Sequence, residues 1–118
     1  MSLSMYQASV PVFVRMLGNL SVILDKGAKH AEAKKIEPAV FINSRLAPDM
    51  FPLSRQVQVA SDSAKGGAGR LAGVEIPSFA DTEQTFPELQ ERIKKTVDFL
   101  NGLKPAQIDG SEDKDILL

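Results

Sequence analysis

The sequence predicts an all-α fold, a bundle of long helices, on three observations. An apolar stripe with a three-and-four period fills the first third of the chain. A second, alanine-rich stripe of the same period stops at a glycine. A third follows a Thr-Phe-Pro-Glu start signal. Apolar residues at that spacing fall on one side of a helix, and such a side has to be buried against neighbours of similar length.

The first stripe is Val10, Phe13, Val14, Leu17, Leu20, Ser21, Leu24, Ala28 and Ala31. It implies a helix of roughly thirty residues at 1.5 Å rise per residue. Ser4 and Gln7 have the spacing of a capping box, which starts this helix at Ser4 and carries it to about Lys34. Pro11 then lies inside and removes one backbone donor, predicting a kink. A start with Pro11 in the first turn is the alternative. Lys26, Lys29, Lys34 and Lys35 gather at the C-terminal end, where the helix dipole favours cations.

Pro38 to Ile42 reads as a short helix or turn under the bundle. Arg45-Leu46-Ala47-Pro48-Asp49-Met50-Phe51-Pro52 is a connection with a defined path, punctuated by two prolines. Asp49 suits the cap of the next helix, with Pro52 in its first turn. That helix is expected from about Met50 to Ala72, with Leu53, Val57, Ala60, Ala64, Ala68 and Leu71 as its stripe and Gly73 as its left-handed stop. Residues 74 to 82 form a connection. Thr85 and Glu88 repeat the capping-box spacing, and Phe86, Leu89, Ile93, Val97, Leu100 and Leu103 form the third stripe, to about Asn101 and Gly102. Asp109, Glu112, Asp113 and Asp115 then make the chain acidic before Ile116-Leu117-Leu118, which reads as the opening of a strand.

Composition narrows the function classes. The 118 residues suit one domain, spanning 1–118. No cysteine is present, which excludes disulfides and thiolate metal sites and suits a reducing cytoplasm. With 14 basic and 15 acidic residues the net charge is −1, so nothing draws the chain to nucleic acid or anionic lipid. No unbroken run of apolar residues is long enough to span a membrane, and no secretory signal opens the chain. With one histidine and no cysteine, neither Ser-His-Asp nor Cys-His catalysis can be assembled.

His30 is the single histidine and the one weak metal candidate. Its place near a helix end is better explained as that of a surface residue favoured by the dipole. Tyr6, Arg45, Asp49, Arg55 and Gln56 are the candidate ligand-binding residues. Arg45 and Asp49 are spaced to pair, and an arginine suits a carboxylate or phosphate. The same residues also suit a hydrogen-bonded connection that fixes the second long helix. Lys65-Gly66-Gly67-Ala68-Gly69-Arg70 has glycines but no preceding strand and its lysine comes first, so close helix packing explains it better than phosphate binding. No catalytic residue and no cofactor are predicted.

Several strings carry a resemblance. Residues 4–13 (Ser-Met-Tyr-Gln-Ala-Ser-Val-Pro-Val-Phe), 45–53, Gln56-Val57-Gln58, 72–79 and Thr85-Phe86-Pro87-Glu88-Leu89 resemble a bacterial domain-of-unknown-function family within the DinB/YfiT-like superfamily. The resemblance spans essentially the whole chain. It implies an up-down four-helix bundle, of which three long helices are present here and the fourth is missing. Superfamily members often hold a divalent metal with three histidines, one on helix two and two on helix four, and some are thiol-dependent enzymes. Gln56 falls where the helix-two histidine is expected. Packing points the same way: the stripes of the first and third long helices need more cover than an alanine-rich second helix supplies. The expectation is a cytoplasmic, self-associating bundle protein, a homodimer through apolar helix faces. The alternatives are a metal- or thiol-dependent enzyme whose remaining site residues lie on the missing helix, and a small-molecule binding module.

Overall fold

The computed structural model describes residues 2–117. Five helices follow one another: α1 (Met5–Lys34), α2 (Pro38–Ile42), α3 (Leu53–Ala72), α4 (Phe86–Asn101) and α5 (Pro105–Ile108). No strand occurs among the described residues. The fold is all-α, as the periodicity predicts.

Helix α1 begins at the earlier of its two candidate starts. The Ser4 hydroxyl accepts from the Gln7 amide at 3.1 Å, and the Ser4 amide donates to Gln7 Oε1 at 3.1 Å. The helix runs through Pro11 to Lys34 and closes on Lys35 at φ 55°, where the Ile36 amide reaches back to the Ala31 carbonyl. Its buried apolar residues are Val10, Leu17, Leu24 and Ala31, one in every seven. That is a narrow seam along one side of a long apolar helix. By length and composition α1 is also apolar enough to cross a membrane, its best 18-residue window averaging a hydropathy of 1.3. The run is broken at Arg15 and Asn19, as the sequence shows, but the Val, Leu and Ile residues around them keep the mean high. The seam packs on α4, as in a bundle.

Helix α3 starts later than expected, and Asp49 does not cap it. The N-cap is Pro52, with no side-chain cap bond. The cause is local. A residue before proline is pushed out of helical backbone, so Phe51 cannot continue a helix upstream of Pro52. The Met50 amide instead closes a turn onto the Ala47 carbonyl at 3.0 Å. At the other end Gly73 adopts φ 69° and stops the helix, as predicted. Close approach explains Gly69: a Cβ there lies 2.6 Å from Ile76 Cγ1 and 3.4 Å from the Phe99 ring.

Helix α4 lies against both α1 and α3, which touch each other only lightly. Thr85 caps it by accepting from the Glu88 amide at 3.2 Å. Phe86, Leu89, Ile93, Leu100 and Leu103 are all buried. The expectation that the third long helix lacks cover is therefore corrected, because α4 sits between its two neighbours. The exposed large apolar side chains lie on α1 (Val12, Met16, Val22 and Ile23), on α2 (Val40), in the connection before α3 (Leu46, Met50 and Phe51), on α3 (Val59) and toward the two ends of the chain (Leu3, Ile116 and Leu117). Beyond α4, the helix α5 was not legible in the acidic tail, and it buries Ile108 completely. Ile116 and Leu117 form no strand, contrary to expectation, and Leu118 lies outside the described residues.

Candidate functional site

Two polar or concave centres stand out, one at the α2 end of the bundle and one inside the α3–α4 contact. The first is a cavity of about 540 Å³. Helix α1 contributes Ile23, Leu24 and Gly27, α2 contributes Phe41, and α4 contributes Phe86 at its first turn. The remaining wall comes from the connection, with Ser44, Arg45, Leu46, Met50 and Phe51, and from the start of α3, with Leu53 and Gln56. The proline-delayed start of α3 keeps Met50 and Phe51 in the wall rather than on a helix. The lining is apolar apart from three side chains. The Ser44 hydroxyl donates to the Val40 carbonyl. The Gln56 amide nitrogen makes one long contact, 3.5 Å, to the Phe51 carbonyl. Arg45 forms no ion pair among the described residues.

The structure thus brings together two of the sequence candidates, Arg45 and Gln56, and disperses the others. Asp49 is exposed and does not pair with Arg45. Arg55 turns to Asp81 at 2.9 Å, with its guanidinium 5.6 Å from the Phe51 ring centre. Tyr6 lies at the start of α1, where its amide donates to Asp109 Oδ1 at 3.1 Å. His30 is exposed, its ring 5.8 Å from that of Phe41. Among the described residues no group of three or more His, Cys, Asp or Glu side chains is placed to hold a metal ion.

The second centre was missed by sequence reasoning. Arg92 is 0% exposed in the middle of α4. Its Nη2 lies 2.7 Å from Asp62 Oδ1, and its Nη1 lies 3.1 Å from Asp81 Oδ1 and 3.2 Å from Glu83 Oε1. Nη1 also donates to the Ala80 carbonyl and Nε to the Ser61 hydroxyl. Ser61 and Thr96 share a 2.6 Å hydrogen bond, both fully buried. The Phe79 ring is flanked by Lys65 at 4.9 Å, Lys95 at 5.1 Å and Arg92 at 5.4 Å. Each of the three guanidinium nitrogens has at least one oxygen partner, so the charge is buried with its partners. The network ties the connection between α3 and α4 to both helices. Its signal was present in the sequence: Leu89, Arg92, Ile93, Thr96 and Leu100 share the helical period, and the apolar-only stripe skipped the two polar members.

Comparison with known proteins agrees with this architecture. Residues 5–118 match the model of a family described as a domain of unknown function, DUF1993. The crystal structure of a DinB family member protein from Shewanella denitrificans is 44% identical, with a TM-score of 0.84 over 87% of this chain. The chain spans 59% of the length of that protein's chain. No curated protein matches the chain.

Proposed function

This chain belongs to the DUF1993 family of DinB-like helical proteins, and from that premise we propose that it works by association, pairing with a second copy through the open side of α1 and α3. One observation carries the reading: the uncovered apolar strip on α1. Val12, Met16 and Ile23 are 47%, 59% and 61% exposed. At 100° per residue they fall within about 40° of one another around the helix. They stand beside a groove of about 400 Å³ lined by Phe13, Met16, Leu17 and Leu20 of α1 and by Ala60, Ser63 and Ala64 of α3. Exposed apolar surface of this kind, broken on α1 by Asn19 between Met16 and Ile23, is characteristic of an interface. The small residues on the α3 side let another helix approach closely, and charged side chains do not line the groove.

A two-fold pairing suits such a surface, since the same patch serves both partners. The cysteine-free composition fits the cytoplasm as the setting. Sedimentation equilibrium over a concentration series tests the proposal. The expected result is a dimer that the double substitution Val12→Glu, Met16→Glu converts to a monomer with unchanged circular dichroism. A wild-type chain that stays monomeric at every concentration overturns it.

A further inference from the structure

We infer that the cavity at the α2 end of the bundle binds a small amphiphilic carboxylate, its apolar body between Leu24, Phe41 and Phe86 and its anionic group against Arg45. The volume, about 540 Å³, lies in the range of small-molecule sites. Its walls come from four helices and one connection, so no single helix face accounts for it. Apolar sites of this kind orient their ligands with a few polar groups. Here the choice among those groups is narrow. Ser44 already donates to the Val40 carbonyl within its own turn. Arg55, behind Phe51, is engaged by Asp81. Arg45 remains, a permanent cation at the mouth without a carboxylate partner among the described residues. Gln56 lines the same cavity with only a 3.5 Å contact to the Phe51 carbonyl, leaving its amide able to bond the same head group. A guanidinium fork matches a carboxylate's two oxygens. A neutral apolar ligand leaves that complementarity unused, and a ligand with a cationic end is repelled.

Gly27 lets the inference be tested from inside the cavity. A Cβ at this position meets the Phe86 ring at 3.6 Å, ordinary contact, so side-chain atoms carried beyond it enter the space between α1 and Phe86. The test does not rest on the pairing of copies, because it is run on the wild-type chain and on the Val12→Glu, Met16→Glu variant alike. Hexanoate, octanoate and decanoate are titrated by calorimetry below their micelle concentrations, with decanol as the uncharged control. Amide shifts are followed by NMR. Saturable one-to-one binding is expected in both proteins, tightening by up to about fourfold for each added methylene. Arg45→Gln should weaken decanoate by up to about fivefold, the limit for an exposed charge pair, and leave decanol unchanged. Gly27→Val should weaken both. Amide shifts should centre on residues 23–27, 41–46 and 50–56 of the wild-type chain. The inference is overturned by an absence of saturable binding, by shifts centred elsewhere, by decanoate binding that Arg45→Gln leaves unweakened, or by binding that Gly27→Val leaves unweakened.

Discussion

Arg92 of α4 and Asp62 of α3 meet at 2.7 Å, and the arginine of that pair has no exposure to solvent at all. A buried guanidinium is tolerable only with its partners in place, because removing a charge from water is costly. The partners differ in their access to water: the side chains of Asp62 and Asp81 are 42% and 41% exposed, while that of Glu83 is 9% exposed. Arg92→Ala leaves Glu83 with no guanidinium and opens a void beside Phe79. A loss of about 3–5 kcal/mol is expected, toward the lower end because two of the three carboxylates can rehydrate. Asp62→Asn keeps the shape and leaves Arg92 with two other carboxylates, so it should cost about 1 kcal/mol. Urea unfolding of both variants measures the difference, and equal losses contradict this account of the network.

Two glycines of α3 make opposite predictions. A methyl group at Gly69 lies 2.6 Å from Ile76 Cγ1 and 3.3 Å from its Cδ1, with the Phe99 ring on the far side. Gly69→Ala therefore overpacks the contact between α3, the following connection and α4, at a cost of about 1–3 kcal/mol. At Gly67 the nearest foreign atom is Phe13 Cε2 at 4.0 Å. Gly67→Ala gains helix propensity without a clash and should stabilise by about 0.5–1 kcal/mol. Thermal unfolding of the two single variants checks both signs at once.

The cap of α4 should loosen in acid. The backbone amide of Gln84 and the hydroxyl of Thr85 hold the Glu88 carboxyl below its ordinary value. A carboxyl with a lowered folded-state pKa contributes stability that is complete above its unfolded pKa and fades as pH falls through the folded one. The contribution of Glu88 is therefore present at neutral pH and lost below the usual carboxylate range. Glu88→Gln should flatten the acid limb of a stability-against-pH curve relative to wild type. Thr85→Ala removes the hydroxyl that accepts from the Glu88 amide and should cost about 0.5–2 kcal/mol near neutral pH.

These caps also show what the sequence makes legible. Ser4, Gly73 and Thr85 act through neighbours three or four residues away, so their roles follow from spacing alone. The apolar stripes locate most of the core for the same reason. What escaped were contacts between distant parts of the chain. Arg92 reads as a surface residue until Asp62 and Glu83 are brought to it from 30 and 9 positions away. Asp49 reads as a cap until Pro52 vetoes a helical Phe51. The candidate site divides along this line: Arg45 and Gln56 share a cavity because the connection folds back over α1, whereas Tyr6 and Arg55 are drawn to Asp109 and Asp81. Helix α5 was invisible because its single buried anchor, Ile108, stands in an otherwise polar tail.

That anchor governs the far end of the bundle. Asp109 follows Ile108 directly and accepts from the Tyr6 amide at 3.1 Å, while Ser4 accepts from the Gln7 amide in the same turn. Two of the free amides at the start of α1 are therefore satisfied, one by a local cap and one by a residue 103 positions away. The carboxylate also sits at the positive end of the helix dipole, where a negative charge is favoured. Ile108→Ala removes the side chain that fixes α5 and should cost about 2–5 kcal/mol. Asp109→Ala leaves α5 anchored and should cost only about 0.3–1 kcal/mol. Both should raise amide hydrogen exchange at Tyr6 and leave that at Leu89 and Ile93 governed by global stability alone. If exchange at Tyr6 in Asp109→Ala matches the wild type, the long-range cap contributes nothing and α1 starts on Ser4 unaided.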